Sequence, residues 1–93
     1  MDVSRGDETE IKRRFGAAVR SRRRMLGLSQ ERLAERAGMH RTYVAEVEVG
    51  KRNISLVNIE RLATALAVPI PGLFSEVEER PERAAEEKPE YGV

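Results

Sequence analysis

The sequence predicts an all-α fold, a compact bundle of five helices, and three observations support this. The chain has 93 residues, which is enough for one domain with a small core. Apolar residues recur along it at intervals of three and four, the period of one face of an α-helix. Glycine follows three of these apolar runs, where a left-handed residue ends a helix; these residues are Gly27, Gly38 and Gly50.

The first predicted helix follows a polar segment, residues 1–8, that we expect to be flexible. Asp7 and Glu10 have the spacing of a capping box, with Asp in place of the usual Ser or Thr. Arg23 lies on the apolar side of the helix, four residues after Val19, so its charge needs a partner. The apolar stripe comprises Ile11, Phe15, Ala18, Val19 and Leu26.

Two short helices then follow with a tight turn between them. Ser29 is an N-cap for the second helix, residues 30–37, whose inward residues are Leu33, Ala34 and Ala37. Gly38 ends this helix, and only residues 38–40 separate it from the third helix, residues 41–49. Two short helices joined by a glycine-containing turn of about three residues are the signature of a helix-turn-helix.

The third helix directs few residues inward, because only Val44 and Val47 form its apolar side. Its leading residues, Arg41, Thr42 and Tyr43, all carry hydrogen-bond donors. We therefore interpret it as the recognition helix, which enters the major groove of double-stranded DNA.

Two of these leading residues are suited to reading bases. The guanidinium of Arg41 matches O6 and N7 of guanine, a contact worth about 1–3 kcal/mol of discrimination, and Thr42 can meet a base edge or a thymine methyl. For Arg41, a phosphate contact alone is the alternative. Glu46 lies one turn further along and either accepts from a cytosine amino group, rejects some sequences, or is a solvated surface residue.

Ser55 is a predicted cap for the fourth helix, which Pro69 and Pro71 end. Its stripe comprises Leu56, Ile59, Leu62, Ala63 and Leu66. A short fifth helix follows, and it has more large apolar residues than so short a terminal segment needs for its own packing. We therefore expect some of them to contact a second subunit in a homodimer. The alternative is that these residues only cover the bundle. The residues predicted for the interface are Leu66, Ile70, Leu73, Phe74 and Val77. Residues 9–78 then form the domain, and residues 79–93 an acidic, disordered tail.

The formal net charge is only +1, but its distribution is uneven. Residues 12–52 contain twelve Lys and Arg against four Asp and Glu, whereas residues 76–93 contain seven Glu against three Lys and Arg. A basic body with an acidic tail fits a polyanionic partner, although solvated helix faces would give the same counts.

Composition excludes several other functions. The chain has no cysteine and one histidine, so we expect no metal, no other cofactor and no catalytic triad, and we expect His40 to cap the third helix. No apolar run approaches the ~20 residues of a membrane span, and the N-terminus is not a signal peptide, which predicts a cytoplasmic protein. A nucleophile–base pair and a phosphate-binding glycine loop are also missing, so we do not expect an enzyme.

Four segments together resemble the Cro/repressor-type (Xre) family of helix-turn-helix regulators. They are residues 28–38, the third helix, residues 50–56 and residues 62–66, and the resemblance extends over residues 11–75. Residues 40–44 and 51–53 look most like controller proteins of restriction–modification systems. The resemblance implies a lambda-repressor-like domain that binds a (pseudo)palindromic operator as a homodimer.

The resemblance also implies roles for single residues. Gln30 would contact a phosphate and brace the recognition helix, while Arg23 and Glu48 would form a buried ion pair. Arg41 and Thr42, with Glu46, would contact bases. The DNA backbone would be held by Tyr43, Lys51, Arg52 and Asn53. Val49 departs from the family pattern, since many members have a polar or basic residue there.

The predicted function is therefore a sequence-specific transcriptional regulator, an activator or a repressor, of the controller type and acting on its own promoter. The alternative is an antitoxin-like interaction protein that binds a partner protein through its acidic tail or through residues 70–77. Copurification of a neighbouring gene product through that segment would distinguish the two.

Overall fold

The computed structural model describes residues 5–78, and these form five helices with no strand among them. They are α1 (Arg5–Met25), α2 (Gln30–Ala37), α3 (Arg41–Glu48), α4 (Leu56–Ala65) and α5 (Ile70–Glu78). The predicted all-α, five-helix fold is confirmed. Because α1 begins at Arg5, Asp7 lies within the helix and not at its start, where the predicted capping box would place it. Residues 1–4 and the predicted tail, residues 79–93, lie outside the described residues.

One apolar core holds the five helices together. Helix α1 packs against α3 and α5, α2 packs against α3 and α4, and α4 contacts α5. The residues with fully buried side chains come from all five helices: Val19, Leu33, Val44, Leu62, Leu66, Leu73 and Val77. Each such side chain contributes about 1.5–3 kcal/mol relative to an exposed one, so Val44 helps to hold α3 in the bundle.

Three residues of the predicted apolar stripes are exposed. Ile11 and Leu26, near the two ends of the stripe of α1, each retain 38% of their accessible surface. Leu56, the first residue of α4, retains 75%, so its assignment to the core is wrong. The buried residues of α4 begin at Leu62, and its first turn lies at the protein surface.

Helix α4 ends before the two prolines, at a residue in the left-handed region. Ala67 has a φ of 56°, its N–H donates to the carbonyl of Thr64, and the N–H of Val68 donates to that of Ala63, both at 3.0 Å. These are the two hydrogen bonds of a Schellman motif. Pro69 belongs instead to the start of α5, since its carbonyl accepts from the first turn of that helix. The prediction that prolines end α4 is therefore wrong.

Two arginines of α1 bind the C-terminal carbonyls of other helices. Arg22 donates from Nε to the carbonyl of Leu66 and from Nη2 to that of Ala67, both at 3.1 Å. Arg14 donates to the carbonyl of Val77 at 3.2 Å. Cations are favourable at helix C-termini, which carry unpaired carbonyls and the negative end of the dipole. Part of the basic surplus therefore holds the bundle together rather than facing solvent.

Candidate nucleic-acid interface

Helices α2 and α3 form a helix-turn-helix. Ser29 caps α2 by accepting from the N–H of Arg32 at 3.0 Å, as its position predicted. At the other end Gly38 has a φ of 69°, and the N–H of Met39 donates to the carbonyl of Ala34 at 2.9 Å. The left-handed glycine reverses the chain within three residues, which places the first turn of α3 at the protein surface.

The C-terminal half of α3 is fixed against α1 by a close backbone contact at Gly16. A Cβ atom at position 16 would overlap the carbonyl oxygen of Val47 and would lie 2.7 Å from that of Glu48. Only glycine allows the two helices to approach this closely. The angle at which α3 leaves the bundle therefore depends on this residue.

The structure also brings Arg23 and Glu48 together between α1 and α3. Arg23 donates from Nε to Oε2 of Glu48 at 2.6 Å and from Nη2 to Oε1 at 3.0 Å, a bidentate pair that is almost completely buried. Its Nη1 donates to the carbonyl of Leu28 at 2.8 Å. The hydrogen bond that Arg23 donates to Glu48 raises the pKa of Arg23, against the opposing effect of burial. The guanidinium is thus charged at any physiological pH.

Gln30 joins this pair from the first residue of α2. Its Nε2 donates to Oε1 of Glu48 at 3.0 Å, so the amide braces the last residue of α3. The side chain is only partly buried. It can therefore brace the recognition helix and still reach solvent, where the resemblance places a phosphate.

The leading edge of α3 is free of such contacts. Arg41 and Thr42 are exposed, and within residues 5–78 neither side chain has a hydrogen bond or an ion pair. His40 occupies the N-cap position, as predicted, but its side chain makes no capping hydrogen bond. Its carbonyl accepts from the N–H groups of Tyr43 and Val44 instead. The helix therefore presents two unengaged polar side chains at its N-terminus.

The other residues expected at the DNA backbone divide into two groups. Lys51 and Asn53 are exposed in the loop between α3 and α4. Arg52 and Tyr43 are engaged, because Arg52 lies over the ring of Tyr43, with Cζ 4.9 Å from its centroid, and donates from Nε to Glu46 at 2.8 Å. Nδ2 of Asn58 donates to the hydroxyl of Tyr43 at 3.1 Å. The loop is therefore attached to the recognition helix.

Three of the five residues expected at a dimer interface belong to the core of the protomer. Leu66, Leu73 and Val77 have at most 1% of their surface exposed, so the expectation that they face a second copy is wrong. A domain this small needs these side chains to close its own core. Ile70 and Phe74 are half-buried and remain partly accessible.

Neither a metal centre nor a membrane span occurs in the described part of the chain. Among residues 5–78, no three His, Asp or Glu side chains are grouped so that they could hold a metal ion. None of the helices α1–α5 combines the length and the apolar character needed to cross a bilayer.

Residues 19–73, which include α2, α3 and the turn between them, match the Helix-turn-helix family. The chain belongs to this family. It is similar to the control protein C.MunI of a Mycoplasma species, with 41% identity over 70 residues that cover 74% of this chain and 95% of the relative. Control protein C.BamHI of Bacillus amyloliquefaciens is 47% identical over 55 residues, which cover 58% of this chain and 68% of the relative.

A solved structure agrees with both the sequence and the fold. The restriction–modification controller protein C.AhdI from Aeromonas hydrophila superimposes with a TM-score of 0.65 at 48% identity, over 74% of this chain and 98% of C.AhdI. The resemblance to Xre-type regulators is thereby confirmed. The chain is a DNA-binding helix-turn-helix transcriptional regulator, and α3 is its recognition helix.

Proposed function

We propose that this protein is a controller of a restriction–modification system, which binds a palindromic operator as a homodimer and regulates its own promoter. Its similarity to control proteins over almost their full length supports the biological role. The observation that carries the chemistry is the first turn of α3, where Arg41 and Thr42 are exposed and unpaired among the described residues. The protein would act as a binding protein, not an enzyme, and in the cytoplasm, where it would meet its operator.

The proposal assigns base reading to α3 and positioning to its surroundings. Arg41 reads a guanine through a bidentate contact, and Thr42 contacts an adjacent base edge. Gln30, Tyr43, Lys51, Arg52 and Asn53 lie around α3 and would contact phosphates, which fix the register without reading sequence.

Selection of bound sequences from a random DNA pool, at a stated salt concentration, tests the base-reading assignment. We expect a palindromic consensus from the wild type, and the loss of one guanine preference per half-site from Arg41→Ala. Arg61→Ala is the matched control, because Arg61 is an exposed cation on α4 and its removal changes the net charge equally. A consensus that Arg41→Ala leaves intact would show that Arg41 contacts only phosphate. Equal binding of all sequences by the wild type would refute sequence-specific regulation.

A homodimer follows from the small reach of one recognition helix, which reads only a few base pairs; dimers read two half-sites about one helical turn apart. The first turn of α4 offers an exposed apolar surface for this contact. Leu56 and Val57 retain 75% and 58% of their accessible surface. Two adjacent large apolar residues that are this exposed are typical of an interaction surface. We therefore place the dimer interface at the start of α4, together with the accessible parts of Ile70 and Phe74.

Sedimentation of Leu56→Glu beside the wild type tests the interface. We expect the variant to shift toward the monomer and to keep its helical circular dichroism, because Leu56 contributes little to the core. Met25→Glu is the matched control, since Met25 is also exposed, at 64%, but lies at the end of α1. An unchanged dimer in Leu56→Glu would move the interface elsewhere. The antitoxin alternative loses part of its support, because Leu73 and Val77, two of the large apolar residues in segment 70–77, are buried in the protomer itself.

A further inference from the structure

The side chain of Arg52 is held on the exposed face of the recognition helix by two residues one turn apart. Its Nε donates to Oε1 of Glu46 at 2.8 Å, and its Cζ lies 4.9 Å from the centroid of the Tyr43 ring. About half of the Arg52 side chain and a third of the Glu46 side chain are accessible to solvent. We call these three residues the Arg52 clamp.

The Arg52 clamp neutralises a cation on the surface of α3 that we propose to face DNA. An arginine in the loop after a recognition helix would ordinarily neutralise a phosphate and release a counterion. Here Glu46 already neutralises Arg52, so a phosphate must compete with a carboxylate of the same charge for one guanidinium. The contact with the Tyr43 ring keeps the guanidinium on this face of α3, beside the carboxylate.

This competition affects two kinds of DNA differently. Binding to unrelated sequences depends almost wholly on ionic contacts with phosphates. An arginine that is already paired with a carboxylate therefore contributes little to this binding. At the operator, base contacts hold the recognition helix in the groove and keep the phosphates next to it. Under these conditions a phosphate can displace Glu46 from Arg52.

We propose that Glu46 is a specificity determinant that acts through Arg52: by occupying this guanidinium, it lowers the affinity for unrelated DNA more than the affinity for the operator. The inference deepens the proposed function and rests on it. It does not require Glu46 to touch a base. Glu46 is the positioning residue in this scheme, since it acts on DNA only through Arg52, which contacts a phosphate once Glu46 releases it.

The salt dependence of binding to unrelated duplex DNA tests this inference, because it reports the number of phosphate contacts and not the stability of the fold. Each neutralised phosphate adds about 0.9 to the slope of log K against log salt concentration. We therefore expect Glu46→Gln to steepen this slope by about 0.9 per bound protomer and to raise the affinity at low salt. The slope on the operator should change by less than half of that amount, so the ratio of specific to non-specific affinity falls.

Two further variants separate the action of the Arg52 clamp from a general change of charge. Glu60→Gln removes the same charge from an exposed position on α4 and should leave the slope unchanged. In the double variant Glu46→Gln with Arg52→Gln, the steepening should disappear, because no guanidinium is released. Circular dichroism of every variant checks that the helices are intact.

The possible outcomes are distinct. If Glu46→Gln steepens the slope equally with and without Arg52, Glu46 acts by simple repulsion and the inference is overturned. An unchanged slope in the single variant also overturns it. If the wild type binds the operator and unrelated DNA with equal affinity, the proposed function fails instead, whatever the variants do.

Discussion

The replacement of Glu48 by alanine gives the clearest test of how the recognition helix is held. The structure buries Glu48 with two hydrogen bonds from Arg23, at 2.6 and 3.0 Å, and one from Gln30 at 3.0 Å. Alanine would leave the guanidinium of Arg23 buried without a counter-charge. Removal of one partner from a buried pair typically costs about 3–5 kcal/mol.

This cost is large for so small a domain. Proteins are stable by about 0.05–0.15 kcal/mol per residue, which gives about 4–11 kcal/mol for the five-helix bundle, residues 5–78. A loss of 1 kcal/mol lowers Tm by about 4–8 °C in a domain of this size, so Glu48→Ala should lower Tm by roughly 12 °C or more. At the lower end of the stability range, the variant would be unfolded at room temperature.

Thermal and urea unfolding, followed by circular dichroism at one fixed protein concentration, measure this loss. The fixed concentration matters because dimerisation contributes to the apparent stability. Glu35→Ala is the control, since Glu35 pairs with Arg32 on the surface at 4.0 Å, and such pairs contribute at most about 1 kcal/mol. The double variant Arg23→Met with Glu48→Leu should recover at least half of the loss, because it leaves no unpaired charge. If Glu48→Ala melts like the wild type, the ion pair does not hold α3.

Three other substitutions test the contact between α1 and α3 and the two ends of α4, each by urea unfolding. Gly16→Ala should destabilise the fold by more than about 2 kcal/mol, because the methyl group would force apart the backbones of α1 and α3; a small effect would mean that they separate easily. Ala67→Gly should stabilise it by up to about 1 kcal/mol, since glycine adopts the left-handed φ of 56° without strain. Ser55→Ala should lower the free energy of unfolding by about 1 kcal/mol, because the hydroxyl of Ser55 accepts a hydrogen bond from the N–H of Asn58. Ser75→Ala is its control, because Ser75 is an exposed serine that does not cap a helix.

The features that sequence predicted well are those set by neighbouring residues. Ser29 and Ser55 were identified as caps because a hydroxyl that accepts from an N–H three residues later is a local interaction. The left-handed glycines, Gly27 and Gly38, follow from the same local chemistry. The turn between α2 and α3, and with it the recognition helix, could therefore be predicted from short segments.

The features that sequence predicted poorly depend on how helices meet in space. Periodicity placed Leu56 on the apolar stripe of α4, but whether the first turn of a helix reaches the core depends on the position of the other helices. The same reasoning assigned Leu73 and Val77 to a dimer interface, although both side chains are buried in the core of the protomer. Gly16 did carry a signal, since an isolated glycine within an apolar helical pattern often marks close packing, but only the structure identifies the carbonyls that it meets.

Arg52 illustrates a different limit. Its basic character and its place after the recognition helix suggested a direct phosphate contact, and nothing in the local sequence indicated that Glu46 would bind it. The two residues are six apart, across the end of a helix and a glycine with a φ of 83°. The direction of the chain after that glycine decides whether Arg52 turns back toward α3.

The recognition helix thus combines two requirements that would otherwise conflict. A side chain that reads bases must be free of protein partners, yet its position must be fixed, because a loosely held contact loses discrimination through conformational entropy. In α3 the fixed part is the C-terminal half, where Glu48 is held by α1 and α2 and the backbone rests against Gly16. The free part is the first turn, with Arg41 and Thr42. Because the helix is rigid, fixing one end positions the other, so in the proposed complex Arg23 and Gly16 of α1 would determine how accurately the first turn of α3 reads DNA.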